Sequence, residues 1–135
     1  MIRLICGPKG TGKTKTILDF VNASVDAAKG DIVFITDKKI DTLRVNFAVR
    51  VLYANDFCID NSDSFRGFID GLVAGNSDIE YLFIDGLTRI IGSDKGLEGF
   101  FKELIRLEKE YGFKATLTIS KEAGDLPEFV RGFAE

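Results

Sequence analysis

Gly7-Pro8-Lys9-Gly10-Thr11-Gly12-Lys13-Thr14 reads GPKGTGKT, a full match to the pattern GxxxxGK[ST]. Each residue type in it has a physical reason. Glycines let the backbone wrap closely around an anion and take up dihedrals closed to other residues. The amides from about Gly10 to Thr14 then point inward as an anion nest. A helix that opens at Lys13 aims its positive end at the same point. In that arrangement Lys13 sets a charge between the β- and γ-phosphates of a nucleoside triphosphate, and the Thr14 hydroxyl coordinates Mg²⁺. The context suits the mechanism, because a short apolar run precedes the loop and a helical stripe follows it. The expected nucleotide-binding set is Gly7, Pro8, Lys9, Gly10, Thr11, Gly12, Lys13, Thr14 and Lys15, with Lys9 read as facing solvent.

Outward from the loop, short apolar runs alternate with longer helical patterns. Ile2 to Cys6 reads as a buried strand. Lys13 to about Lys29 reads as a helix, with Ile17, Leu18, Val21, Val25 and Ala28 on one stripe and Gly30-Asp31 as its stop. Ile32 to Ile35 and Val49 to Tyr53 read as strands, whereas Lys38 to Arg50 shows no clear period. Asn61 to Asp63 offers capping residues for a helix over Ser64 to Ala74. Tyr81 to Ile84 is a further strand, ending at Asp85-Gly86. Ser93-Asp94 is the expected cap of a helix from Gly96 to Tyr111, and Ala115 to Ile119 is a fifth strand. Pro127 is expected to begin a short helix in the tail. Strands that are continuously apolar, not alternating, point to a parallel sheet covered on both faces. The predicted fold is therefore α/β: a three-layer α/β/α sandwich around a mainly parallel five-stranded sheet, with residues 1–135 forming one P-loop NTPase domain.

The second chemical element is Tyr81-Leu82-Phe83-Ile84-Asp85, an apolar strand closing on an aspartate. An aspartate at the carboxyl end of such a strand lies on the ligand side of an open α/β sheet. It can hold the magnesium, so Thr14 and Asp85 are the expected metal residues. GPKGTGKT, FIDGLTRI and the late strand TLTIS together resemble the RecA-like branch of P-loop ATPases, over most of the chain from Ile2 to about Lys121. The resemblance implies ATP as the nucleotide and one strand between the P-loop strand and the strand of Asp85. It also implies a polar residue near the γ-phosphate, in the stretch Thr118-Ile119-Ser120 with Ser120 as the site residue, and a glutamate that activates water. Gly86 follows Asp85 where that glutamate often stands. The end of the strand after the P-loop helix holds Asp37 instead, the best candidate for positioning water; Asp56 and Glu122 are weaker ones. The expected catalytic residues are thus Lys13, Asp85 and Asp37. The chain also resembles, in size and in its opening strand–loop–helix, small bacterial P-loop proteins described as relatives of the type IV pilus retraction ATPase. It lacks the histidine-containing motifs of that motor.

Composition removes other classes. The chain has 135 residues, 45% of them hydrophobic and 29% charged, which suits one globular domain. A net charge of -3 gives no general pull toward nucleic acid or an anionic membrane. Lys38, Lys39, Arg44 and Arg50 form the only basic cluster, read as a solvated face. With no histidine and no CxxC, a zinc site and any imidazole-based triad are excluded. Cys6 and Cys58 are read as buried core thiols, which suits a reducing, cytoplasmic setting. No run of 18 or more apolar residues is present, so no membrane span is expected. The chain reads as close to full length.

The expected activity is Mg-dependent ATP binding with hydrolysis. A homo-oligomer or a protein partner is expected to supply an arginine finger, because nothing in the sequence selects among Arg44, Arg50, Arg89, Arg106 and Arg131. Two alternatives stay open. One is a nucleotide-binding switch or scaffold with little turnover. The other is a small-molecule or nucleoside kinase, with Lys38 to Arg50 as its lid; a thymidine kinase of RecA-like type would need zinc-binding cysteines and an Asp-Glu pair that are absent.

Overall fold

The computed structural model describes residues 1–135. Five strands and five helices follow one another as β1 (Ile2–Cys6), α1 (Lys13–Ala27), β2 (Asp31–Thr36), β3 (Arg50–Tyr53), α2 (Ser62–Gly75), β4 (Ile79–Asp85), α3 (Leu87–Ile91), α4 (Leu97–Tyr111), β5 (Lys114–Ile119) and α5 (Glu128–Arg131). All five strands pair in parallel in the order β1-β5-β4-β2-β3. One strand, β5, thus lies between β1 and β4. Because every strand runs the same way, Cys6, Thr36, Asp85 and Ile119 all end at one edge of the sheet, with Thr36 directly opposite Asp85.

Side chains alternate between the two faces, and both are covered. Ile32, Phe34 and Phe83 pack with Ile17, Leu18 and Val21 of α1 and with Val45 and Val49. Val33, Ile35, Leu82, Ile84, Leu117 and Ile119 face Phe65, Ile69 and Val73 of α2 and Phe100, Phe101, Leu104 and Leu107 of α4. This is the three-layer α/β/α arrangement. Fully burying each of these large apolar side chains is worth about 1.5–3 kcal/mol, and that term fixes the layers. The outer edge of β1 is joined by the chain's end: the Leu4 N–H donates to the Phe133 carbonyl and the Glu135 N–H to the Leu4 carbonyl, at 2.9 and 3.1 Å. No helix is long and apolar enough to cross a membrane.

The structure differs from the sequence reading at several places. α1 stops at Ala27, and Ala28 turns out to an extended conformation while its N–H still reaches the Ser24 carbonyl. The tight turn after it is tied down by Glu80, whose carboxylate accepts from the Lys29 and Gly30 amides and is thereby held below the usual glutamate range. α2 begins two residues early because Asn61 is its cap, in a reciprocal pair with Ser64. α4 is not capped by Ser93 or Asp94 side chains; Gly96, in the left-handed region at φ 87°, starts it. α3 was not expected at all. Its five residues lie between Gly86 and Gly92, both with positive φ, and bury Leu87, Ile90 and Ile91. Neither cysteine is a fully buried core thiol: Cys58 is exposed in a left-handed turn, and Cys6 is only partly buried. The segment 38–49 carries a single 3-10 turn at Thr42–Arg44. It is tied to α1 by Asn22, whose amide donates to the Arg44 carbonyl and whose oxygen accepts from the Asn46 N–H.

Candidate functional site

The loop between β1 and α1 stands at the sheet edge where the strands end. Gly10 and Gly12 hold φ of 86° and 82°, so the turn into α1 depends on residues without a Cβ. α1 has no side-chain cap and no acidic residue in its first turn. Its first amides are therefore not answered by the protein's own oxygens, and the positive end of a 15-residue helix faces outward from the loop.

A cavity of about 330 Å³ opens there, and no hydrophobic residue lines it. Gly10, Gly12, Lys13 and Thr14 form one wall; Asp85, Thr118 and Ser120 come from the ends of β4 and β5; Lys9, Lys38 and Arg89 complete it. Four of these side chains are cationic (Lys9, Lys13, Lys38 and Arg89) and one, Asp85, is acidic. In a chain whose net charge is -3, this is a concentrated positive pocket.

Asp85 is 2% exposed, and both of its oxygens are held. The Thr14 hydroxyl donates to Oδ2 at 3.0 Å and the Thr118 hydroxyl donates to Oδ1 at 2.6 Å. Thr118 Oγ1 in turn accepts from the Gly86 N–H at 2.8 Å, which fixes its direction. The Lys13 ammonium donates to the Pro8 carbonyl at 2.7 Å and lies 3.5 Å from Thr11 Oγ1. Burial lowers the Lys13 pKa below its ordinary value; the Asp85 charge opposes that and Arg89 adds to it. A lysine bonded by one carbonyl and short of water is readily recruited by a stronger anion.

The structure brings together most of the residues expected from sequence. Lys9, Gly10, Gly12, Lys13, Thr14, Asp85 and Ser120 all line the cavity. Pro8 supplies the carbonyl that holds Lys13, and the Thr11 hydroxyl donates to the same carbonyl at 2.7 Å. Gly7 precedes them at φ 154°, where an added Cβ would come within 3.2 Å of Thr11 Oγ1. Two expectations fare differently. The Lys15 side chain points along the outside of α1 to Asp19 at 3.1 Å, away from the cavity. Asp37 is not in the cavity wall; the Arg89 guanidinium holds it, with Nε and Nη2 at 3.0 to 3.2 Å from its oxygens.

Three further residues of the cavity wall were not singled out from sequence: Thr118 lay in the stretch expected near the γ-phosphate, Arg89 was one of five undistinguished arginines, and Lys38 was read as part of a solvated face. Thr118 was within reach, since strict alternation in TLTIS puts Thr116 and Thr118 on the face opposite Leu117 and Ile119. Arg89 lies four residues after Asp85, a signal that becomes readable only once Leu87–Ile91 is known to be a helix. No protein-family model matches the chain, and no curated protein matches it either. The functional reading therefore rests on the fold and on the chemistry of this cavity.

Proposed function

We propose that the chain is a P-loop NTPase that binds ATP with magnesium and hydrolyses it. The observation that carries this reading is the cavity itself: glycine-turn amides, an uncapped helix N-terminus, Lys13 and a Thr14–Asp85 pair meet in one polar pocket with a cationic excess. A triphosphate is the ligand that satisfies all of these at once. The single strand between β1 and β4 agrees with the RecA-like branch. The absence of an NKxD guanine pattern from the sequence favours ATP over GTP. Two free cysteines suit a cytoplasmic setting.

The metal fits the residues. No group of three or more His, Cys, Asp or Glu side chains could cage an ion. Magnesium needs no such cage, because it takes one or two protein oxygens and completes its shell with phosphate and water. Thr14 Oγ1 and Asp85 Oδ2, 3.0 Å apart, are the residues that would hold it. Bound magnesium supplies neutralisation of charge on the phosphate oxygens. Lys13 leaves the Pro8 carbonyl for the β- and γ-phosphates, and the loop amides hold the same oxygens while negative charge moves onto the leaving group. A water oxygen bonds to the γ-phosphorus as the bond to the β,γ-bridging oxygen breaks. ADP and inorganic phosphate result, and the water's proton passes to solvent. Thr118 keeps the Asp85 carboxylate oriented throughout.

A second reading, a switch with little turnover, draws on Asp37, since the carboxylate expected to orient water is bonded to Arg89. The kinase reading is the less favoured one, because Asn22 ties its lid segment to α1. The deciding experiment is phosphate release from ATP with Mg²⁺ over a series of protein concentrations. Release that stays constant per chain identifies a hydrolase complete in one chain, and a rise with concentration identifies one completed by a second copy or an arginine-bearing partner. Tight magnesium-dependent binding without release would favour the switch. The absence of both binding and release would refute the proposal.

A further inference from the structure

Gly86 follows Asp85 with φ 84°, and a Cβ at that position would overlap the Arg89 guanidinium. The backbone at the head of α3 is thus clear for that guanidinium to lie across it. From there Arg89 reaches two places. It lines the cavity beside Lys13 and Asp85, and it grips both oxygens of Asp37 just outside it. Nε and Nη2 make those bonds, and Nη1 makes none. The pair is half-buried, at 27% and 18% side-chain exposure, so each charge depends on its partner more than a surface pair does.

We propose that Arg89 is a γ-phosphate ligand supplied by the same chain, which exchanges Asp37 for the γ-phosphate when a triphosphate binds. The inference rests on the nucleotide reading above and adds the residue that distinguishes triphosphate from diphosphate. A terminal phosphate carries more charge than a carboxylate and accepts the guanidinium fork equally well. A diphosphate lacks the terminal group, so Arg89 stays on Asp37. The exchange frees the Asp37 carboxylate beside the cavity only in the triphosphate complex, where it can accept a hydrogen bond from water. It also reports the bound state to the end of β2 and to the 38–49 segment that follows Asp37.

The test is calorimetric titration with ADP and with the methylene-bridged, non-hydrolysable ATP analogue, both with Mg²⁺. Arg89→Ala should weaken the analogue about ten- to a hundredfold, the range of a lost charge-assisted bond, and leave ADP unchanged. Arg89→Lys should recover part of the loss, since it restores the charge without the fork. Asp37→Asn should tighten the analogue and leave ADP unchanged, because the competing carboxylate is gone. This second variant carries the test if the alanine variant does not fold. Equal effects on the two nucleotides, or no effect of either substitution on the analogue, would overturn the role of Arg89 while leaving the nucleotide site intact. A wild-type chain that binds neither nucleotide would overturn the site and this inference together.

Discussion

Asp85 and Gly86 show how two adjacent residues divide their work. Asp85 is fixed by two threonine hydroxyls, Thr14 and Thr118, and offers the pocket a carboxylate that cannot swing away. Gly86 contributes the lack of a side chain. Gly86→Ala puts a Cβ at a left-handed φ, which costs about 1–2 kcal/mol, and also drives Arg89 off its position. The expected result is a lower urea midpoint together with a weakened Arg89–Asp37 pair; an alanine variant as stable as the parent would refute it. Asp85→Asn should retain part of the nucleotide affinity but lose magnesium-dependent phosphate release, and equal release with and without the substitution would remove Asp85 from the site. At this scale the sequence was readable where a residue's placement is local. The glycines, Lys13 and Thr14 lie together in one loop and the first turn of α1. Arg89 could not be singled out from the other arginines, because its partner Asp37 is 52 positions away and only the pairing of β2 with β4 brings them together.

Among the elements, α2 and α4 meet through stacked rings, Phe65 on Phe100 with centroids 5.2 Å apart. Phe100→Ala removes a fully buried ring and should cost about 3–5 kcal/mol in equilibrium unfolding. A loss below 1 kcal/mol, roughly the scale of a surface change, would contradict the packing described here. The same interface carries an unequal pair of carboxyls. The Arg106 guanidinium, and Asp70 after it, hold the Glu103 pKa down to about 2. Burial, and then Glu103, push Asp70 up, and its buried Oδ1 has no hydrogen-bond partner. The signs are opposite. Glu103 binds its proton less tightly in the fold, so its stabilisation is complete above 4.5 and is lost as pH falls toward about 2. Asp70 binds its proton more tightly in the fold, so its cost is present above its raised pKa and is relieved as pH falls toward 3.8. Asp70→Asn, which donates to Glu103 at every pH, should gain about 1 kcal/mol at neutral pH and abolish the relief on mild acidification. Urea midpoints measured from pH 7 to 4 check this, and superimposable profiles of the two proteins would refute it. This pair was invisible in sequence, since it depends on how two helices face each other. The strands were legible because each is a short apolar run; α3 was not, because five residues show too little period to separate from the loop around them.

Over the whole molecule, one parallel sheet gathers every strand end at a single edge, and that gathering makes a site from residues spread between Lys9 and Ser120. The layered α/β architecture followed from the alternation of apolar runs and helical stripes. The strand order did not follow from composition or period; the resemblance implied one feature of it, the single strand between β1 and β4, and the rest was not legible. A ligand that binds only the fold stabilises it, and ATP with Mg²⁺ at a hundred times its Kd should add about 2.7 kcal/mol. In a chain this long the thermal midpoint should rise by roughly 10 °C, and Mg²⁺ alone should do much less. A midpoint that does not move at saturating ATP would count against a site of this kind.

The central claim is that the cavity at the strand ends is a triphosphate site built around Lys13. Its most direct measurement is equilibrium binding of a fluorescent ATP derivative with Mg²⁺ to the wild-type chain and to Lys13→Ala, with the fold of the variant confirmed by its own unfolding transition. The account predicts saturable, magnesium-dependent binding by the wild type and its loss in a folded Lys13→Ala. Undiminished affinity in that folded variant, or no binding by the wild type, would contradict it.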